Sequence, residues 1–138
     1  MDIHVFSKPE IEEGIVIQSS YIVISITDSD DAPAKIIKGS GFVDALYLEF
    51  DDTDPEFSFG CRPMQIGQAT VIWNFVQGYL DEVEAVVCHC LAGMSRSPAV
   101  ALALAEALGE DTAHFAENFN YNTHVYDTMR KAIRLDEL

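Results

Sequence analysis

Cys90 and Arg96 stand six positions apart in the segment Val87 to Pro98, VCHCLAGMSRSP, and together they suit one piece of chemistry. A cysteine thiolate is a strong nucleophile, and a guanidinium grips two phosphate oxygens with its planar fork. An apolar run ends at His89-Cys90, five residues follow, and a helix is expected at once after Arg96. Strand, tight loop and helix is the arrangement in which successive backbone N–H groups point inward at a dianion, aided by the helix N-terminus. The expected cradle is therefore Leu91, Ala92, Gly93, Met94 and Ser95, closed by Arg96, and it should hold phosphate, sulfate or vanadate. Gly93 supplies backbone freedom where a side chain would obstruct the loop. The donors that bind phosphate also favour a thiolate, so Cys90 is expected to be ionised and ready for in-line attack. His89 is expected to orient the loop through hydrogen bonds and to lend it partial positive charge. The Ser97 hydroxyl is expected to donate to the sulfur and ease its departure in a second step.

Residues 89–97, HCLAGMSRS, resemble the HCxxGxxR[ST] loop of the protein tyrosine phosphatase superfamily, and HC-x-A-G-x-S-R-S looks most like its dual-specificity branch. The resemblance implies that Cys90 becomes a phosphoenzyme and Arg96 holds the phosphoryl group. It also implies an upstream aspartate that acts as acid and then as base, with no metal or other cofactor. The acid of such enzymes lies on a loop after a strand. Here Phe50-Asp51-Asp52-Thr53 resembles that loop best with Asp52 as the acid, while Asp51 and Asp54 remain alternatives one or two residues away. Asn120-Tyr121-Asn122 is similar to a Pro-Asn segment of related small phosphatases. It lacks the proline, so only a packing role is expected of it.

The elements that must position these groups follow from hydrophobic pattern. Ile3 to Phe6, Tyr21 to Ile26 (YIVISI) and Ala45 to Phe50 (ALYLEF) read as strands, and Ala85 to His89 (AVVCH) as a central strand covered on both faces. Between Met64 and Leu80, Ile66, Ala69, Trp73, Val76 and Leu80 recur at helical spacing, which makes Trp73 a core residue. Ser97 reads as a helix N-cap with Pro98 at the first helical position, and Gly109 as the stop of that helix. A shorter helix is expected near Asp111 and a last one from about Thr123 to Leu135. Strands alternating with helices predict an α/β fold, a central, mostly parallel sheet flanked by helices as in the dual-specificity phosphatases.

The 138 residues fit one domain, residues 1–138. No apolar run approaches the ~20 residues of a membrane span, and no secretory signal is evident, which predicts a cytoplasmic protein. Three cysteines, Cys61, Cys88 and Cys90, predict reduced thiols rather than a disulfide framework. Cys88 reads as strand filling. Cys61 could act as a resolving thiol for an oxidised Cys90 only if the fold brings them together. A net charge of −15 disfavours nucleic acid and anionic membranes as partners and favours a partner with basic residues around its phosphosite. The expected partner is a phosphorylated protein or peptide. Its phosphotyrosine is the expected target, with phosphoserine or phosphothreonine also accepted if the cleft is shallow. Two rivals are the same chemistry on a phosphoinositide or other small phosphomonoester, and a catalytically silent phosphate-binding module. The uncharged side chains between Cys90 and Arg96 speak against the first. The presence of cysteine, arginine and acid together speaks against the second.

Overall fold

A computed structural model describes residues 1–57 and 59–137. Four strands, β1 (Asp2–Ser7), β2 (Tyr21–Thr27), β3 (Phe42–Glu49) and β4 (Ala85–Cys90), form one sheet in the order β1-β4-β2-β3. All three pairings are parallel. Among the described residues five α-helices complete it, α1 (Lys8–Glu13), α2 (Ile66–Tyr79), α3 (Arg96–Leu108), α4 (Ala113–Asn118) and α5 (Thr123–Asp136), with a 3-10 turn at Pro55–Phe57. Among the described residues no helix is long and apolar enough to cross a membrane.

Strand periodicity decides what each face of the sheet carries. Ile22, Ile24 and Ile26 of β2 and Val86, Cys88 and Cys90 of β4 point to one face, where they pack with buried residues of α2, α3, α4 and α5. Tyr21, Val23, Ala85 and Val87 point to the other, against Ile11 of α1 and Ala34. Every residue of β2 and β4 is buried, as an apolar strand covered on both faces must be. Helix α3 is buried from Arg96 through Ala105, and its alanines let neighbouring elements approach on all sides. It ends where expected, with Gly109 in the left-handed conformation at φ 71°.

The structure adds one element and changes two local readings. Helix α1 has only one buried residue, too little to produce a readable apolar period; its signal is the capping box, in which Ser7 Oγ accepts from Glu10 N–H while Glu10 Oε1 accepts from Ser7 N–H. Strand β3 begins at Phe42 rather than Ala45, because an edge strand half open to solvent alternates instead of running apolar. The N-cap of α3 is Ser95, not Ser97, and its side chain makes no capping hydrogen bond. Ser97 is already inside the first turn. Trp73 is buried as expected, and its indole N–H donates to Asp136 Oδ2 at the end of α5.

Candidate active site

Because all four strands are parallel, their C-terminal ends share one edge of the sheet, the place where open α/β sheets bind ligands. Strand β4 ends at Cys90, β2 runs into Asp28 and Ser29, and β3 runs into Phe50, Asp51 and Asp52. These segments line one cleft of about 540 Å³, to which Asp30, Gly60, Cys61, Leu91, Ala92, Ser95 and Arg96 also contribute.

The loop between β4 and α3 is held from three sides. Lys8 N–H donates to Leu91 C=O at one end, and Asn122 N–H donates to Ser95 C=O at the other. Between them Gly93 adopts φ 70°, and a Cβ there would lie 2.9 Å from the backbone of Phe6 and Ser7. Both the torsion and the close approach require glycine. Gly93→Ala is therefore expected to cost at least about 1–2 kcal/mol from the left-handed conformation alone. A thermal melt should show a midpoint several degrees lower. Gly93 and the exposed Met94 do not line the cleft, so of the expected cradle only Leu91, Ala92, Ser95 and Arg96 do so.

Cys90 is buried at the strand end, and its Sγ lies 3.1 Å from Ser97 Oγ. That is the distance at which the hydroxyl can donate to a thiolate, the contact expected from the sequence. Arg96 is only 4% exposed. Its Nη1 donates to Phe50 C=O at 2.8 Å and pairs with Asp28 Oδ1 at 2.6 Å. Its Nε is buried and has no hydrogen-bond partner among the described residues. A buried guanidinium donor left unpaired is costly, and an anion in the cleft would satisfy it. The Asp28 and Phe50 contacts fix the guanidinium between the ends of β2 and β3. Neither contact was foreseen, because both partners are remote in sequence.

His89 makes hydrogen bonds at the start of the loop, as expected, but differs in its expected charge. As the neighbour of Cys90 on a strand it points to the opposite face, where β2 registers Ser25 beside it. Ser25 Oγ and His89 Nε2 are 2.6 Å apart, and His89 Nδ1 lies 3.3 Å from Cys90 C=O. Burial holds the imidazole below its usual range, so the ring is neutral at neutral pH and lends no charge to the loop. These contacts tie the ring to Ser25 of β2 and to the Cys90 carbonyl at the strand end.

The two neighbouring aspartates separate cleanly. Burial alone would raise the Asp51 carboxyl. Hydrogen bonds from the Ser29 hydroxyl, Arg62 N–H and Ser29 N–H, with the nearby Arg96 charge, outweigh it and hold Asp51 below the usual carboxylate range. Asp51 is a structural anion that ties the loop after β2 to the loop after β3. Asp52 is exposed on the cleft, and its Oδ1 accepts from Ser95 Oγ at 2.8 Å and Asn122 Nδ2 at 2.9 Å. Its Oδ2 accepts no hydrogen bond among the described residues, which leaves one oxygen for a proton. Asp54 does not line the cleft.

Asn122 is the residue the sequence undervalued. Its Oδ1 caps α5 by accepting from Val125 N–H, while its Nδ2 donates to Asp52 Oδ1 and to Thr53 C=O. One side chain thus joins the acid loop to the last helix, and its backbone holds Ser95. An asparagine just before a helix is a capping signal, but its second set of bonds depends on a tertiary contact.

All three cysteines are free. Cys61 is exposed and lines the same cleft as Cys90. Cys88 is fully buried, and burial pushes its thiol upward, which suits strand filling. Among the described residues no group of three or more histidine, cysteine, aspartate or glutamate side chains could hold a metal ion.

No protein-family model matches the chain, and no curated protein matches it by sequence. Solved structures do match. Human tyrosine phosphatase-like serine/threonine/tyrosine-interacting protein superposes with a TM-score of 0.60 at 20% identity, over 86% of this chain and 80% of that one. Human DUSP28 superposes with a TM-score of 0.62 at 15% identity, over 98% of this chain and 93% of that one. The fold is that of the dual-specificity phosphatases.

Proposed function

We propose that this chain is a single-domain, cysteine-dependent phosphatase that acts on phosphotyrosine in proteins through a cysteinyl-phosphate intermediate, and on phosphoserine or phosphothreonine where these reach the sulfur. The observation that carries the reading is the meeting of Cys90 Sγ, held near Ser97 Oγ, with an Arg96 whose buried Nε has no hydrogen-bond partner among the described residues, in one cleft. In the first step Cys90 Sγ attacks phosphorus, the P–O ester bond breaks, and the leaving oxygen takes a proton from Asp52. In the second step Asp52 takes a proton from water, the hydroxide attacks phosphorus, and the S–P bond breaks. Inorganic phosphate and the Cys90 thiolate result. Ser97 Oγ, within reach of Sγ, would donate to the departing thiolate. No metal or cofactor enters either step. Three free thiols suit a reducing compartment, which supports a cytoplasmic assignment.

Hydrolysis of para-nitrophenyl phosphate with EDTA present tests the reading. Turnover undiminished by the chelator is the expected result. A protein that binds phosphotyrosine peptides or phosphoinositides yet releases no nitrophenol would sink it in favour of a silent module.

A further inference from the structure

The cleft carries four carboxylates, Asp28, Asp30, Asp51 and Asp52, against the single guanidinium of Arg96. Three of the four are committed. Asp28 pairs with Arg96, Asp51 accepts from Ser29 and Arg62, and Asp52 accepts from Ser95 and Asn122. Asp30 has no hydrogen bond or ion pair among the described residues, is exposed, and sits at φ 66°, a left-handed conformation that aspartate and asparagine tolerate better than most residues. Lys8, in the neighbourhood of this loop, is already engaged by Asp31 Oδ2 and Ala32 C=O. From Leu91 to Ser95 no side chain is charged. Among its lining residues the cleft therefore offers one buried, incompletely paired cation for a phosphate, with four carboxylates around it and Arg62 next to the lining Cys61. A phosphosite flanked by acidic residues would meet repulsion from these carboxylates, whereas one flanked by lysine or arginine would be steered in and held.

We propose that the substrate is a phosphorylated segment with lysine or arginine beside the phosphorylated residue, and that Asp30 is the carboxylate that selects it. The inference rests on the phosphatase reading and names the substrate class of that same site. The phosphoryl group goes to Cys90 and Arg96, and the basic flank lies along the loop after β2.

Three matched phosphotyrosine peptides, with lysine, glutamine or glutamate at both flanking positions, test it by kcat/KM in the wild type and in Asp30→Asn. Asparagine keeps the left-handed backbone and removes only the charge. The lysine peptide is expected to exceed the glutamate peptide by about tenfold or more at low salt. The ratio should shrink several-fold at about 0.3 M NaCl and again in Asp30→Asn. Equal rates, or a preference for glutamate, with para-nitrophenyl phosphate still hydrolysed, would overturn the charge selection. A ratio unmoved by Asp30→Asn would overturn the role given to Asp30. Loss of para-nitrophenyl phosphate turnover would instead count against the phosphatase reading. The same peptides compared by fluorescence anisotropy then decide the selection: tighter binding of the lysine peptide sustains it, and equal Kd values overturn it.

Discussion

Cys90→Ser is expected to lower turnover of para-nitrophenyl phosphate by at least about 10⁴-fold, the scale on which a covalent enzyme loses activity with its nucleophile. The substitution changes one atom at a buried strand end, and a serine hydroxyl can still hydrogen-bond Ser97 Oγ across the 3.1 Å that now separates it from sulfur. The fold and the loop should therefore persist. What is lost is the sulfur nucleophile, since a serine hydroxyl is far less nucleophilic toward phosphorus than a cysteine thiolate. Phosphate recognition depends on Arg96 and the loop backbone, which the substitution leaves in place. A phosphotyrosine peptide should therefore bind the variant about as tightly as the wild type. Steady-state assay and fluorescence anisotropy on the same protein check both halves. Activity that survives near the wild-type level would mean that Cys90 is not the nucleophile, and the mechanism above would fall with it.

The part of the site that sequence reveals is the part encoded in consecutive residues. From Val87 to Pro98 the apolar strand, the glycine and the arginine lie within one strand-loop-helix unit, so their types and spacing already imply their geometry. Gly93 illustrates this well: a turn into a helix demands positive φ, and the residue that permits it stands there. Ser95 and Ser97 mark the limit of that reading, because either serine could cap α3, and one residue of phase decides which hydroxyl faces the sulfur. His89 differs in charge for a related reason. Adjacency to Cys90 suggested electrostatic help, but strand pleating turns adjacent residues apart, and burial beside Ser25 keeps the ring neutral. The remaining contributors come from other crossings of the chain. Asp28 leaves β2, Cys61 lies between β3 and α2, and Asn122 precedes α5. They converge because parallel strands finish at one edge, a fact of topology that no local pattern carries.

Asp52→Asn is the second large effect expected, and it should depend on the leaving group. The contacts each neighbouring aspartate already makes favour Asp52 as the acid we propose. Asp51 accepts three hydrogen bonds and is held below the usual carboxylate range, so it stays ionised and makes a poor proton donor. Asp52 faces the cleft with one oxygen engaged by Ser95 and Asn122 and the other free of hydrogen bonds among the described residues. Asparagine preserves much of that geometry but carries no transferable proton. Loss of a positioned general acid costs about 10²-fold or more, and the cost falls on esters whose departing oxygen is basic. A phenyl or alkyl phosphate should therefore lose about 10²-fold in kcat, whereas para-nitrophenyl phosphate, whose phenoxide leaves readily, should lose less in the first step. Plotting kcat/KM against leaving-group basicity separates this role from a structural one. A variant that merely disturbed the loop would lose activity on every ester alike, and the slope would stay that of the wild type. If the slope steepens in Asp52→Asn and not in Asp51→Asn, the proton passes through Asp52. If only Asp51→Asn steepens it, the assignment is reversed, and the Ser29 and Arg62 contacts must open during turnover.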